Sequence, residues 1–545
     1  MSSMAVAQVE FEDRSCHPPT RGTFFIFPNQ TIKIGRDEDV SKNDVAFRNP
    51  AISRGHLEFH SIMVDEEDRH CPLVFVRDRQ SFNGTYVNDR LIGKAPNISP
   101  ARLLQDGDNI SIQPHLTFKF TQHFKPEPVF RLNAHQRREL LLIEDKYVVT
   151  DRTIGDGAHA LVYLATDVRT GQQVVCKVHN LNMRLQSYHQ EVQRVRQEAI
   201  LLSYLDHPNV LSIKSAFQSQ GNMYIFTELA TGGDLFSLLA RYKVFTEVEI
   251  RWIIRQVVRG VAYIHSKGVA HRDIKPENVL CAVAPKAAFR LVLSDFGDSA
   301  MTSRGRMKSY VGTSFYRAPE CHTPEAVHGL SVDIWAVGML TLQLFSGLQE
   351  LTGVHNLDLS SQAKVDDYLD AIFDEIGPSG QISREGKHFI RGCLLYDSDA
   401  RFTAPEALRH RWLRSPKDHR NLFTQLENEN ASSWSPRGIM LPVIEDLADS
   451  SSDPTNRKNE DLRAAAPDHD HAVSPYFTAV RAPALVAAVR QDRDRPGEAD
   501  VDSVSRSSER NLSTSMAGPP QVKDPISKKR KAVMYEEGSQ KRKKL

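Results

Sequence analysis

The sequence predicts a multi-domain protein in which an all-β sandwich is followed by an α+β unit of two lobes and then by a disordered tail. Three observations predict this order. Residues 24–121 alternate short apolar runs with turn residues, and residues 147–413 begin with strand-like runs and continue with helical periodicity. From residue 451 onward, only 14 of 95 residues are Leu, Ile, Val or Phe, which is too few to offset the chain entropy lost on folding.

Composition limits the classes of function. The 69 Lys and Arg residues and 68 Asp and Glu residues leave a net charge of +1, so we expect neither specific nucleic-acid binding nor a membrane partner. The amino terminus carries acidic residues where a signal peptide needs a basic start, and no run of about 18 apolar residues occurs, so the protein is expected to be neither secreted nor membrane-spanning. Six scattered cysteines without a Cys-x-x-Cys pair indicate a reducing compartment.

The predicted boundaries follow these changes in pattern. Residues 1–19 are predicted to be a flexible amino terminus and 20–122 a β sandwich, with a tight turn at Asn83-Gly84, where both residues tolerate positive φ. Residues 123–146 contain two prolines and mixed charges and read as a connector that finishes in a short helix. Residues 147–413 form the two-lobed unit, and 414–545 are predicted to be a largely disordered tail.

A glycine-rich hairpin opens the two-lobed unit. Gly155 and Gly157 lie between two strand-like segments, where glycine lets the backbone approach phosphates closely. Such a hairpin alone is more often only a turn. Lys177 follows on the next strand, and Glu198 lies on the following helix, where it can pair with that lysine. A lysine held by a carboxylate fixes the phosphates of ATP.

The strongest motif runs from His271 to Asn278 and is followed, seventeen residues later, by Asp295-Phe296-Gly297. Phosphate transfer needs a base beside the attacking hydroxyl, oxygen ligands for Mg²⁺ and a cation at the transferring phosphate. Asp273 suits the base, Lys275 the phosphate, and Asn278 and Asp295 the metal. Each residue alone reads as an ordinary loop residue, but the complete ordered set disfavours that interpretation.

Residues 147–413 therefore resemble a eukaryotic protein kinase catalytic domain of the calcium/calmodulin-dependent group. Further matches are Ala318-Pro319-Glu320, Asp333 and Arg401, and the resemblance implies a structural ion pair between Glu320 and Arg401. It also implies ATP and Mg²⁺ as cofactors. The nucleotide-binding residues that it implies are Ile154, Gly155, Gly157, Val162, Lys177, Glu228, Ala230, Asp234, Asn278 and Asp295, with Thr227 as gatekeeper.

The same resemblance implies serine or threonine as the phosphate acceptor, because Thr313 matches the residue that contacts the catalytic Asp and Lys in Ser/Thr-specific enzymes. Two positions depart from the family pattern, Ala160 in the glycine-rich loop and Val175 above the adenine. Neither departure removes a charge or a metal ligand, so we expect an active enzyme.

The kinase resemblance also has implications for the preferred substrate sequence and for activation by phosphorylation. In similar kinases, acids at the positions of Asp234 and Glu277 pair with an arginine three residues before the acceptor, although both can also be solvated surface acids. Ser309 matches the primary phosphorylation site of an activation loop, and Arg272 matches the receptor for its phosphate. Arg306 lies three residues before Ser309, which is compatible with phosphorylation in trans during transient self-association.

Residues 20–122 resemble a forkhead-associated (FHA) domain. Gly35-Arg36, Ser53-Arg54-x-His56 and Asn83-Gly84-Thr85 occur in the order that this family has. The resemblance implies a phosphothreonine ligand, with Arg36, Ser53 and Arg54 binding the phosphate and Asn83 the peptide backbone. It also implies that His56 is a scaffold residue behind the binding loops.

The last eighteen residues contain eight Lys or Arg residues in two clusters. Such paired clusters read as a nuclear-import signal, and a nonspecific nucleic-acid contact or a solvated terminus remain as alternatives. We therefore expect the protein to act in the nucleus.

The order of domains resembles the checkpoint effector Ser/Thr kinases, including their fungal meiotic-recombination branch. In that family, phosphothreonine binding recruits the kinase to a partner in DNA-damage or meiotic checkpoint signalling and raises its local concentration. The alternative is a phosphopeptide-binding scaffold whose kinase-like domain is weakly active or inactive.

Overall fold

The computed structural model describes residues 4–62, 72–97, 99–124, 132–157, 160–181, 188–242, 245–283, 289–301, 314–322, 329–347, 360–376, 382–414, 417–432, 434, 436 and 443–447. All of them belong to one compact unit of the chain. Within these ranges, no helix is long and apolar enough to cross a membrane. The cysteines described there, Cys16, Cys176, Cys281, Cys321 and Cys393, are free thiols.

Residues 4–124 form the predicted β sandwich. Its strands are β1 (Ala7–Asp13), β2 (Thr20–Ile26), β3 (Thr31–Gly35), β4 (Val45–Ala46), β5 (Leu57–Ile62), β6 (Leu73–Asp78), β7 (Thr85–Val87), β8 (Arg90–Gly93), β9 (Arg102–Leu103), β10 (Asn109–Ile112) and β11 (Leu116–Gln122). One sheet has the order β2-β1-β11-β10-β7-β8 and the other β4-β3-β5-β6-β9. Their shared core holds the edge-to-face rings of Phe24, Phe47, Phe59 and Phe118.

Strand β1 corrects the prediction of a flexible segment at residues 1–19. It lies between β2 and β11, pairs with both along its whole length, and buries Ala7, Val9 and Phe11 in the sandwich core. Side chains alternate across a strand, so Glu10 and Glu12 lie on its other face. Glu10 and Glu12 are therefore the solvent-facing half of an ordinary amphipathic strand.

The connector finishes in the expected short helix, α1 (Ala134–Leu141). Asn133 caps this helix in a reciprocal pair with Gln136, in which each side chain accepts the backbone N–H of the other residue. Glu139 is buried and accepts a hydrogen bond from the Tyr224 hydroxyl at 2.5 Å. Helix α1 is therefore fixed to the sheet that follows it.

The small lobe is built on an antiparallel sheet with the order β12-β13-β14-β16-β15, crossed by helix α2. These elements are β12 (Tyr147–Gly157), β13 (Ala160–Asp167), β14 (Gln173–Asn180), α2 (Tyr188–Tyr204), β15 (Ile213–Gln218) and β16 (Asn222–Glu228).

The large lobe is mainly helical, which together with the small lobe confirms the predicted bilobal fold. Its helices are α3 (Leu235–Tyr242), α4 (Glu247–Ser266), α5 (Ser331–Ser346), α6 (Gln362–Ile376), α7 (Arg384–Cys393), α8 (Ala404–Arg409), α9 (Arg411–Arg414) and α10 (Lys417–Ser432). Its short strands are β17 (Val269–Ala270), β18 (Val279–Val283), β19 (Arg290–Leu293) and β20 (Ala300–Met301). Helix α5 is buried around most of its circumference, which explains its nearly continuous apolar sequence.

Two elements lie beyond residue 413, where the sequence places the end of this domain. Helix α10 stacks Phe423 on Trp252 of α4 and pairs Glu427 with Arg255. Strand β21 (Glu445–Asp446) then joins the free edge of β15 in the small lobe. Helix α10 is mostly polar and is stabilised by packing on α4 and not by its own composition, so the part of the chain predicted to be a disordered tail begins with an ordered helix. Residues 448–545 lie outside the described residues.

Candidate functional site

Lys177 and Glu198 meet as the sequence predicts. The Lys177 Nζ atom on β14 lies 3.0 Å from Glu198 Oε1 on α2, and the Glu198 side chain is only 5% exposed. Burial alone opposes the charged lysine, but the charges of Glu198 and Asp295 outweigh it and raise the pKa of Lys177. The ammonium group therefore stays charged in a site where it can hold an anionic ligand.

The nucleotide-binding residues predicted on the small lobe occupy neighbouring positions. Gly155 pairs with Val162 across the β12–β13 hairpin, and Val162 pairs with Lys177 on β14. Directly paired residues present their side chains on one face of a sheet, so Val162 and Lys177 face the same side. Ile154 precedes Gly155, and the backbone of Gly157 pairs with that of Ala160 near the tip of the hairpin.

The Asp273 carboxylate is held by Lys275 and Asn278, which follow it in the motif. Its Oδ2 atom accepts a hydrogen bond from Asn278 Nδ2 at 2.8 Å and lies 2.8 Å from Lys275 Nζ. Asn278 Nδ2 also donates to the Asp273 carbonyl oxygen. The predicted base, the predicted phosphate ligand and one predicted metal ligand are therefore brought together.

Asp333 anchors the loop that carries Asp273. Its buried carboxylate accepts the backbone N–H groups of His271 and Arg272, both at 2.8 Å, and a hydrogen bond from His265 Nε2 at 2.8 Å. Burial opposes ionisation, but these hydrogen bonds and the nearby histidines keep the pKa of Asp333 below its ordinary value. The residue before Asp273 adopts a φ of 73°, a strained conformation that this anchoring stabilises.

The segment after Asp295 is fixed to helix α2 by residues that the sequence reasoning missed. Arg194 lies 3.2 Å from the Asp298 carboxylate, and Gln197 donates to the Ser299 carbonyl oxygen at 3.0 Å. Arg194 and Gln197 come from the same helix as Glu198, so one element positions both the lysine partner and this segment. Their helical spacing from Glu198 was the only sequence signal, and it did not identify their partners.

The segment between the lobes shows which part of Glu228 can serve a ligand. The Glu228 side chain turns to Arg290 and accepts the backbone N–H of Ser212, so only its main chain can meet a nucleotide. Thr227 beside it is 2% exposed. Leu229 and Ala230 continue the connection towards α3.

The two acids predicted to bind a substrate arginine lie on adjacent elements. Asp234 accepts the backbone N–H of Ser237 at 2.6 Å and so caps α3. Glu277 is exposed in the turn Pro276–Asn278, against which α3 packs. Thr313 and Ser309 lie outside the described residues.

The expected structural ion pair between Glu320 and Arg401 is present. The Arg401 side chain is fully buried and donates to both Glu320 oxygens, at 2.6 and 2.7 Å. It also lies over the Trp335 ring. A bidentate pair of this kind fixes the short helix Pro319–His322, which contains Glu320.

The predicted phosphate-binding residues of the β sandwich converge in the loops that follow β3 and precede β5. Arg36 and Arg54 are both exposed, and the Arg36 backbone N–H donates to the Ser53 carbonyl oxygen at 2.9 Å. A β-carbon at Gly35 would lie 2.2 Å from the Arg54 carbonyl oxygen, so only glycine permits this approach. Asn43 holds the same carbonyl at 2.7 Å.

Ser53, Asn83 and His56 link these loops to the β6–β7 loop. Ser53 Oγ accepts the backbone N–H of Phe82 at 2.9 Å, and Asn83 donates to the Ala51 carbonyl oxygen at 2.7 Å. His56 is fully buried, accepts the Ser53 N–H at Nδ1 and donates to the Gly84 carbonyl from Nε2. Burial lowers its pKa, so His56 is a neutral scaffold residue here.

Two family models match the chain over the two folded parts. The protein kinase domain model matches residues 148–413, and the FHA domain model matches residues 32–113.

Three curated relatives match the chain over most of its length. The chain is 30% identical over 395 residues to the meiosis-specific serine/threonine-protein kinase mek1 of Schizosaccharomyces pombe. This alignment covers 70% of this chain and 81% of the relative. It is 26% identical over 427 residues to the meiosis-specific serine/threonine-protein kinase MEK1 of Saccharomyces cerevisiae, and the alignment covers 72% of this chain and 82% of the relative. It is also 30% identical to the probable serine/threonine-protein kinase fhkC of Dictyostelium discoideum, and the alignment covers 74% of this chain and 65% of the relative.

Proposed function

Because the chain belongs to the family of FHA-containing serine/threonine checkpoint kinases, in its fungal meiotic branch, we propose that it phosphorylates proteins to which phosphothreonine binding by its FHA domain has recruited it. The serine/threonine kinase activity follows from the family, and the alternative of an inactive scaffold is not favoured. The kinase domain implies ATP binding and the FHA domain implies phosphothreonine-peptide binding. The residue roles, the recruitment and the partners are the proposal.

Asp273 is proposed as the base that accepts the proton of the substrate hydroxyl. The observation that carries this role is the pair of contacts at its Oδ2 atom, from Lys275 and Asn278, both 2.8 Å long. They hold the carboxylate in one orientation beside a positive charge. Lys177 binds the ATP phosphates as a fixed charge, with Glu198 holding it in place.

The donor set fits a magnesium ion. Among the described residues, both side-chain hydrogen bonds of Asn278 come from Nδ2, so its Oδ1 atom is a potential ligand, and Asp295 contributes a carboxylate near Lys177. Amide and carboxylate oxygens are the ligands that Mg²⁺ prefers. Bound there, the ion would neutralise charge on the phosphates, and Thr313 is proposed to align Asp273 and Lys275.

The FHA domain is proposed to bind phosphothreonine through Arg36, Ser53 and Arg54, with Asn83 holding the peptide backbone. Two exposed guanidinium groups near one hydroxyl give charge-assisted hydrogen bonds to a phosphate. Ser53 and Asn83 already tie neighbouring loops together, so the loops are positioned before a peptide binds.

Replacing Arg36 by alanine is expected to weaken phosphothreonine-peptide binding about 10- to 100-fold, because one charge-assisted contact worth about 1.5–3 kcal/mol is lost. Titration of the full chain with phosphorylated and unphosphorylated forms of one threonine peptide library measures the effect. Lys119→Ala, in β11 away from these loops, is the matched control. Equal affinity of the wild type and Arg36→Ala for the phosphorylated peptides would contradict the assigned site.

A preference for arginine three residues before the acceptor is also expected. Asp234 and Glu277 lie on adjacent elements, and two carboxylates recognise one guanidinium directionally. A positional peptide array is expected to show arginine favoured at that position, with the preference reduced in Glu277→Gln. An array that is indifferent to arginine there in the wild type would reject this assignment.

We propose that phosphorylation regulates the kinase and that its tail directs it to the nucleus. Phosphorylation of Ser309 by a second copy during transient self-association would supply a phosphate for Arg272. Arg272 is positioned for that role by Asp333 and by its contact with the Asp298 carbonyl oxygen. The names of the meiosis-specific relatives are consistent with action in the nucleus, and the basic clusters of the tail are proposed as the import signal.

A further inference from the structure

An apolar cluster joins the FHA sandwich to the kinase domain. We call it the interdomain cluster. Its buried members are Ile62, Phe75, Ala101 and Leu103 of the FHA domain with Leu164 of the kinase domain, and Leu73, Ile154 and Leu229 pack against it. The FHA sandwich has a separate core, between its two sheets. The four FHA side chains are therefore buried together with kinase residues and not within that core.

Hydrogen bonds fix the alignment of this contact. The side-chain amide of Gln173 accepts the Leu103 N–H at 2.7 Å and donates to the Leu103 carbonyl oxygen at 3.0 Å. Arg152 donates to the Leu104 carbonyl oxygen at 2.6 Å. Buried polar groups need partners at a defined geometry, so these bonds favour one orientation of the two domains.

The contact extends to the segment that connects the two lobes. His60 is buried, donates from Nε2 to the Thr231 carbonyl oxygen at 2.9 Å, and stacks on Phe75 with ring centroids 5.1 Å apart. An Ile62 methyl carbon lies 3.4 Å from the position that a β-carbon would take at Gly233. The FHA domain thus touches the main chain directly before Asp234.

Two of the kinase residues in this contact border the proposed nucleotide site. Ile154 begins the glycine-rich hairpin, one residue before Gly155. Leu229 lies between Glu228 and Ala230, whose main chain is proposed to hold the adenine. The FHA domain therefore packs against both the glycine-rich hairpin and the segment between the lobes.

The phosphopeptide loops lie at the other end of the same strands. Strand β5 starts three residues after Arg54 and ends at Ile62, and its six residues span about 20 Å at about 3.3 Å per residue. Strand β6 carries Phe75 and ends at Asp78, which holds Ser81 of the β6–β7 loop. A peptide bound at those loops therefore leaves the interdomain cluster untouched.

We propose that the FHA domain forms the outer support of the ATP pocket, so that its docking on Ile154 and Leu229 increases nucleotide affinity whether or not a phosphopeptide is bound. This inference rests on the proposed assignment of Ile154 and the interlobe segment to ATP binding. It gives the FHA domain a second role, in the same chain, that does not use Arg36 or Arg54.

The physical basis is preorganisation. A hairpin and an interlobe segment held by packing lose less conformational freedom when ATP binds, and the nucleotide then binds more tightly. Coupling is reciprocal, so ATP is expected to stabilise the docked FHA domain to the same extent. Typical coupling of this kind changes affinity by about 5-fold or more.

The test is direct ATP binding by the full-length chain, measured by calorimetry in the presence of Mg²⁺. Ile62→Asp places a charge in the interdomain cluster, and Gln173→Ala removes two hydrogen bonds from the kinase side without touching the FHA fold. Each is expected to raise the Kd for ATP at least fivefold. Ile62→Val keeps the apolar contact and Arg36→Ala removes only the peptide contact, and both are expected to keep the wild-type Kd.

Phosphopeptide affinity serves as the second readout. We expect it to stay within about twofold of the wild type in Ile62→Asp and Gln173→Ala, because the loops lie at the far end of the strands. An unchanged Kd for ATP in Gln173→Ala, or in an Ile62→Asp protein that still binds phosphopeptide, would overturn the inference while leaving the proposed kinase function intact. A wild-type chain that binds no ATP would contradict both.

Discussion

Replacing Asp273 by asparagine is expected to lower kcat for phosphate transfer by about 100- to 10,000-fold, the usual contribution of a general base. The side chain keeps its size but can no longer accept the hydroxyl proton. Neither Lys177 nor Glu198 is altered, so ATP affinity is expected to stay within about threefold of the wild type. Single-turnover transfer from labelled ATP to a serine peptide separates the chemical step from product release.

The matched control is Asp370→Asn, in which an exposed acid that pairs only with Arg391 among the described residues undergoes the same change. That variant is expected to keep the wild-type rate. A wild-type rate in Asp273→Asn would remove this residue from the chemistry. An equal loss in both variants would also contradict the assignment, because it would mean that the loss does not depend on position 273.

Replacing Glu198 by glutamine is expected to lower kcat/KM for ATP by roughly 100-fold. The Lys177 ammonium is mostly buried and would lose its charged partner, and breaking a buried pair costs about 3 kcal/mol or more. Without that carboxylate, Asp295 is the remaining acid that stabilises the charged lysine. We expect the ammonium to turn towards Asp295 and away from the phosphates. Steady-state kinetics at varied ATP concentration measure the loss.

A double-mutant cycle provides the control for this pair. If Glu198 acts through Lys177, then Glu198→Gln combined with Lys177→Met is expected to lose no more activity than Lys177→Met alone. Losses that add in full would show that Glu198 acts independently of the lysine. A Glu198→Gln variant with an unchanged kcat/KM would show that the contact has no catalytic importance.

The order of the domains and the contacts among the proposed catalytic residues were predictable from the sequence because they are encoded locally. Asp273, Lys275 and Asn278 lie within six consecutive positions, and the structure brings them within hydrogen-bonding distance of one another. The pairing of Lys177 with Glu198 followed from a strand and a helix whose order restricts how they can meet. Most residues of the candidate site could therefore be predicted from short motifs with fixed spacing.

Strand β1 and helix α10 were missed for a different reason. Each depends on a partner that is distant in sequence: β1 fills the position between β2 and β11, and α10 packs on Trp252 of α4. Their own composition is polar enough to suggest a flexible chain. Tertiary packing decides such cases, and one sequence does not display it.

The interdomain cluster was equally hidden. Ile62 and Phe75 lie on the faces of their strands opposite the sandwich-core residues Phe59 and Val74, so alternation places them outside that core without indicating what covers them. Gln173 and Arg152 read as ordinary strand residues. Their partners are main-chain atoms of the FHA domain, which have no sequence signature at all.

Phosphate transfer to a substrate that carries its own docking site tests the kinase activity and the recruitment by phosphothreonine binding in one experiment. The substrate is one peptide with a phosphothreonine segment and an Arg-x-x-Ser acceptor, compared with the same peptide lacking the phosphate on threonine. We expect phosphoserine as the product, faster transfer to the docked peptide below saturation, no such advantage in Arg36→Ala, and almost no transfer in Asp273→Asn. A protein that binds both ATP and the phosphopeptide but transfers no phosphate to serine or threonine would contradict the proposed function.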